Sequence, residues 1–148
     1  MNWRLAGPMK RRILSAVGFG VAACGVVAHA HHSIAAVYDD SQLVTIEGVV
    51  TQFRFVNPHP SVVMEVKDDG GRALSWKLEM DNRRELVEIG FDNVTLRPGD
   101  RIVVTGSPAR GQAQSLYIRR LERPADGFTY QQIGQRPSIG STTSRPRH

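Results

Sequence analysis

A single cysteine, Cys24, serves all 148 residues. No disulfide framework is available, and the fold must be held by a packed core. Internal repeats are absent. Clustered positive charge is also missing from the body of the chain. The formal net charge is +5, yet residues 31–118 hold nine Lys or Arg against twelve Asp or Glu, whereas residues 119–148 hold six against two. Basicity therefore belongs to the two ends, and phosphate binding needs basic residues gathered on the folded surface, so nucleic acid is not expected as a partner. Catalytic sets are missing as well. Ser33, Ser61 and Ser75 lack a nucleophile-elbow context, and Glu65, Glu79 and Asp81 show no partner set for acid–base work.

What is present begins with a leader. Residues 1–12 carry Arg4, Lys10, Arg11 and Arg12 with no acid, and an apolar or small stretch runs over residues 13–28. Ala28-His29-Ala30 then supplies the small-x-small cleavage pattern, so residues 1–30 read as a signal peptide, too short and too interrupted by glycine for a good membrane span. The expected compartment is the periplasm or the exterior, with the mature chain starting at His31. A rival reading takes Val21-Ala22-Ala23-Cys24 as the approach to a lipid-modified cysteine, which would anchor the protein. Apart from these leader routes no membrane contact is expected, and the chain is read as a monomer.

The mature chain divides into a domain over residues 31–123 and a basic tail over residues 124–148. Residues 45–56 are rich in β-branched and aromatic side chains and read as a long strand, with Gly48 marking a bend or bulge that resets the inward face. Val62, Met64 and Val66 alternate in a second strand, and Asp68-Asp69-Gly70-Gly71 forms a hairpin turn built on consecutive positive-φ positions. Leu74, Trp76 and Leu78 mark a third strand. Asn82 stands three residues before Glu85, as in a capping box, and Gly90 stops a helix too short to be stable alone. Arg97-Pro98-Gly99-Asp100 has the type II turn order. Ile102 and Val104 mark a fourth strand, and Leu116 and Ile118 a fifth, after a polar loop over residues 109–113. This order predicts an all-β fold with one short helix, a five-stranded OB-like Greek-key barrel. The tail is too poor in apolar residues to offset chain entropy and is expected to be disordered.

The chemistry-bearing residues are histidines. A free N-terminal His31 offers its α-amine and its own imidazole to one metal ion, with His32 beside it and His59 as a third nitrogen donor. Such a set suits Cu(II) before Zn(II) or Ni(II). Pro58 and Pro60 restrict the backbone around His59 and would pre-aim its ring. The plainer reading of His31-His32-Ser33 is a polar arm, and of Asn57-Pro58-His59 a turn. Asp39 and Asp40 are either added carboxylate ligands or turn acids. Phe53, Phe55 and Trp76, possible stacking platforms, sit on the inward alternation with Val, Leu and Met and read as core. The tail arginines Arg136, Arg145 and Arg147 read as a solvated end.

Taken together, His31-His32-Ser33, residues 45–50, Asn57-Pro58-His59, Trp76-Lys77-Leu78-Glu79, Gly90-Phe91, residues 96–100 and residues 104–110 resemble a domain-of-unknown-function family of small bacterial exported proteins. The resemblance covers residues 31–123 and implies a periplasmic or secreted bacterial protein without an established enzyme activity. Phe55 stands where such proteins often have Trp, and Met80-Asp81-Asn82 where a Pro-containing turn is common. Three functional expectations result. The first is a non-catalytic binding module presenting His59 and the loop between the fourth and fifth strands to a small ligand or periplasmic protein. The second is a copper-binding protein using His31, His32 and His59, with no other cofactor expected. The third and weakest is an oxidative copper enzyme on the same ligands.

Overall fold

The computed structural model describes residues 34–134 and 136–141. Seven strands appear in it: β1 (Val44–Arg54), β2 (Ser61–Lys67), β3 (Ala73–Glu79), β4 (Arg101–Pro108), β5 (Ser115–Arg123), β6 (Phe128–Ile133) and β7 (Arg136–Ser141). One helix, α1 (Arg83–Glu88), lies between β3 and β4. The sheet order is β3-β2-β1-β4-β5-β6-β7, and a parallel β3–β5 pairing that sets Leu78 beside Leu116 closes the first five strands into a barrel. This is the OB topology expected from the order of elements, with the helix between the third and fourth strands. No helix among the described residues is long and apolar enough to cross a membrane.

Strand β1 serves both sides of the barrel by changing partner along its length. Val44 to Val49 pair with β4, and Val49 to Arg54 pair with β2. Gly48 permits the crossing, because a Cβ there would meet the Glu65 carbonyl oxygen and stand 2.6 Å from Met64 Cε. The bulge itself falls at Thr51 rather than at Gly48. Ile46 and Val50 therefore point inward on one alternation, and Phe53 and Phe55 on the other. Phe53, Phe55 and Trp76 pack against the core, as their alternation implies.

The turns follow their residues. Asn82 Oδ1 accepts the Glu85 N–H at 3.0 Å, while the Asn82 N–H goes to Asp81 Oδ1 at 2.7 Å. Gly90 at φ +88° donates to Val87 O and Phe91 to Leu86 O, the paired bonds of a Schellman stop. Gly99 at φ +96° completes the type II turn. The hairpin after β2 differs from expectation. Only Gly71 has positive φ there, because Asp68 Oδ1 accepts from both Gly70 and Arg72 and carries the turn with its side chain.

The larger correction concerns residues 124–148. Instead of a disordered tail from Pro124, residues 128–141 form the β6–β7 hairpin on the edge of β5, with Leu121 facing Tyr130. A hairpin docked on an existing sheet needs no core of its own. It borrows the free hydrogen bonds of β5 and inserts Phe128 and Tyr130 against Phe91, both at 5.9 Å between ring centroids. Arg123 ties its base by donating to Thr95 O, Asp100 Oδ2 and Asp126.

Candidate ligand-binding site

Three segments, an arm, the β1–β2 loop and the β6–β7 hairpin, converge on the C-terminal end of β3. In the arm, residues 34–37 make one helical turn, and the chain then runs antiparallel to the β4–β5 loop. Asp39 N–H donates to Pro108 O and Arg110 N–H donates to Val37 O, both at 2.8 Å. Asp39 caps this run by accepting from Ser41 and Gln42 and pairing with Arg110 at 3.3 Å. Hydrogen bonding to Ser41 holds its carboxyl below the usual carboxylate range. Asp39 is thus a turn acid.

The arm delivers Tyr38 into the mouth of the barrel. Its hydroxyl donates to Glu79 Oε2 at 2.8 Å, and its ring lies 5.6 Å from that of Tyr117. Burial first, and then the hydrogen bond to Glu79, push the Tyr38 pKa well above the ordinary tyrosine value. The other Glu79 oxygen faces the second segment, the β1–β2 loop, where His59 Nδ1 lies 3.9 Å from Oε1 and 3.3 Å from Met80 O. Two acceptors on the Nδ1 side favour a proton there, leaving the lone pair on Nε2. Glu79, read from sequence as partnerless, therefore links the arm to the His59 loop.

On the other side of Met80, Asp81 is 6% exposed. It lines a cleft of about 170 Å³ with Tyr117 and Arg119 of β5, Gln132 and Gly134 of the β6–β7 hairpin, and Ile34, Ala35 and Asp40 of the arm. Arg119 lies 4.9 Å over the Tyr117 ring and donates from Nε to Ser107 Oγ at 3.2 Å. Tyr117 is buried between Tyr38 and Arg119, yet its hydroxyl has no hydrogen-bond partner among the described residues. Burial raises its pKa most, followed by the Asp81 charge, while the Arg119 charge pulls the other way. The hydroxyl thus lies within the fields of both groups.

Of the proposed metal ligands, His59 sits in this mouth, while His31 and His32 lie outside the described residues, as do the leader and Cys24. Asp40 reaches the cleft rim. Among the described residues, no group of three or more His, Cys, Asp or Glu is gathered to hold a metal ion. Tyr38, Tyr117 and Arg119 were missed from sequence. Their one legible signal was an aromatic residue on the wet alternation of β5, two residues before an arginine.

A family model matches residues 18–117. The chain belongs to DUF6152, a family of unknown function. The DUF6152 match takes in Tyr38, His59, Glu79, Asp81 and Tyr117, and stops before Arg119 and the β6–β7 hairpin. No curated protein matches the sequence. Among solved structures the chain is similar to the S. pombe Stn1–Ten1 complex, at 15% identity and a TM-score of 0.42 over 57% of this chain and 59% of that one. It is also similar to a complex of TiaS with a transfer RNA and ATP, at 12% identity and a TM-score of 0.38 over 75% and 30% of the respective chains. It therefore spans less than two thirds of either matched chain.

Proposed function

We propose that this chain is an exported bacterial binding module without catalytic activity, taking a small ligand or a periplasmic partner at the barrel mouth formed by the arm, the His59 loop and the end of β3. One observation carries the reading: Tyr117 and Asp81 are buried beside an open cleft, and the Tyr117 hydroxyl has no hydrogen-bond partner among the described residues. Polar groups of several segments converging on one concave, partly apolar cleft are the usual mark of a ligand face. The leader pattern supports export, and the occupied roles of Glu79 argue for holding rather than chemistry. The test is an amide chemical-shift titration of the full chain with a low-molecular-mass periplasmic extract. Shifts confined to residues around His59, Asp81, Tyr117 and Arg119 support the module; an unchanged spectrum refutes a small-molecule role.

A second reading, a copper protein, is favoured by His59 alone. An imidazole whose Nδ1 faces a carbonyl and a carboxylate presents Nε2 as a donor, the usual arrangement of a metal-binding histidine. His31 would supply its α-amine and ring, with His32 beside it. Native mass spectrometry with Cu(II) decides the matter. One retained copper, lost in His59→Ala and on adding one residue ahead of His31, supports it; affinity indifferent to both changes refutes it.

A further inference from the structure

The cleft beside Asp81 has a charge pattern that narrows its ligand. Asp81 is almost wholly buried, and its described partner is the Asn82 N–H on Oδ1. Arg119 donates only Nε, to Ser107, and pairs with no carboxylate among the described residues. An acid and a base thus line one cleft without pairing with each other, and a buried charge left without a counter-charge is costly. The Tyr117 hydroxyl stands within the field of both. Gln132 accepts the Tyr130 hydroxyl on Oε1, which leaves its amide N–H groups as donors at the wall.

Each simple ion fits badly. A free anion drawn to Arg119 meets Asp81 and, at the rim, Asp40; a lone cation drawn to the carboxylates meets Arg119. A molecule carrying both charges satisfies both sides. Size narrows the choice further. At about 170 Å³ the cleft lies below the roughly 300–1,000 Å³ of pockets that take drug-sized ligands, which favours a small molecule. Ile34 and Ala35 form an apolar wall that suits a short side chain.

We propose that this cleft binds a small α-amino acid, its ammonium group on the Asp81 carboxylate and its carboxylate on the Arg119 guanidinium, with the Tyr117 hydroxyl between them. The inference rests on the reading of this barrel mouth as a ligand face. It is tested by calorimetric titration of the full chain with four probes of similar size: glycine, L-alanine, L-alaninamide, which lacks the carboxylate, and N-acetyl-L-alanine, which lacks the ammonium group. Alanine is expected to bind at least about tenfold more tightly than either half-charged probe, because each charge-assisted bond is worth at least that factor. Tyr117→Phe and Arg119→Lys should each weaken alanine about tenfold while leaving the thermal midpoint of the free protein in place. The proposal is overturned if alaninamide binds as well as alanine, or if both variants keep full affinity. Silence of all four probes also overturns it, and the extract titration then separates the two failures: shifts around Tyr117 in the extract keep the binding module standing, and silence there removes both.

Discussion

Alkaline pH gives the sharpest test of how the arm and the hairpin pack. The chain has three tyrosines, and all are buried: Tyr38 at 5% exposure, Tyr117 at 2% and Tyr130 at 0%. Burial is the largest cause holding each hydroxyl neutral, seconded by Glu79 at Tyr38, Asp81 at Tyr117 and Tyr117 at Tyr130. All three therefore keep their protons in the folded state well above pH 10, where the unfolded chain releases them. The folded state then binds more protons than the unfolded state, so stability is intact below about pH 10 and falls as pH rises. Each tyrosine contributes a slope of about 1.4 kcal/mol per pH unit, and the three together about 4. A domain of ordinary stability, roughly 5–15 kcal/mol, then unfolds about one to four units above pH 10. Near-ultraviolet tyrosinate absorbance should stay flat until a single cooperative step releases all three protons at once, coincident with the loss of tryptophan fluorescence. In denaturant the same three groups should titrate together around pH 10. A one-tyrosine step near pH 10 in the folded protein would refute the docking of the arm, since Tyr38 is the residue that depends on it. Glu79→Gln removes the charge that helps hold Tyr38 neutral while keeping an amide oxygen as acceptor, and should move that one proton to lower pH.

Other substitutions probe the remaining supports. Tyr130→Ala should cost about 3–5 kcal/mol in urea unfolding, the loss expected for a large aromatic side chain buried in the core; a loss under about 1 kcal/mol would mean the hairpin does not pack on Phe91. Gly48→Ala should destabilise by about 1–3 kcal/mol or more, because the added methyl meets β2 backbone, and wild-type stability would show that the strand crossing is not close. Arg123→Ala should cost about 1–3 kcal/mol, with the loss largely retained at high salt because this side chain is mostly buried; complete screening of the effect by salt would place it among solvated surface pairs.

The barrel was legible because each of its strands obeys a short-range rule. Val62, Met64 and Val66 alternate, Asn82 caps, Gly90 and Gly99 adopt positive φ, and the order of elements leaves one familiar closure. The hairpin was not legible for the opposite reason. Residues 124–141 have few apolar side chains, and density of hydrophobic residues is a guide only for a segment that must build its own core. Phe128 and Tyr130, two apart, were the period-two signal, but their meaning depends on Phe91, distant in sequence. The site was half legible. His59 stood out by its neighbours in the chain, whereas Glu79 and Tyr117 meet Tyr38 only when the arm folds across the mouth. No local pattern announces a carboxylate that will face a tyrosine forty-one residues away.

The same contrast bears on where function sits. The closed five-stranded barrel turns its apolar side chains inward, with Val62, Leu78, Ile102, Leu116 and Ile118 fully buried. The arm and the β6–β7 hairpin are additions to that barrel, and they supply the remaining walls of the cleft: Ile34, Ala35 and Asp40 from one, Gln132 and Gly134 from the other. Without those walls Asp81, Tyr117 and Arg119 would face open water, which would satisfy them, and a small ligand would gain little. Covering that face on two sides removes competing water and turns ordinary surface groups into recognition groups. It also makes ligand affinity depend on the two peripheral segments: the arm, held by Tyr38 on Glu79, Asp39 on Arg110 and two backbone bonds to the β4–β5 loop, and the hairpin, held by its ladder on β5, by Phe128 and Tyr130 on Phe91 and by Arg123 on Asp100 and Asp126. Loosening either segment, by Tyr38→Phe on one side or Arg123→Ala on the other, should therefore weaken any cleft ligand more than it lowers the stability of the barrel.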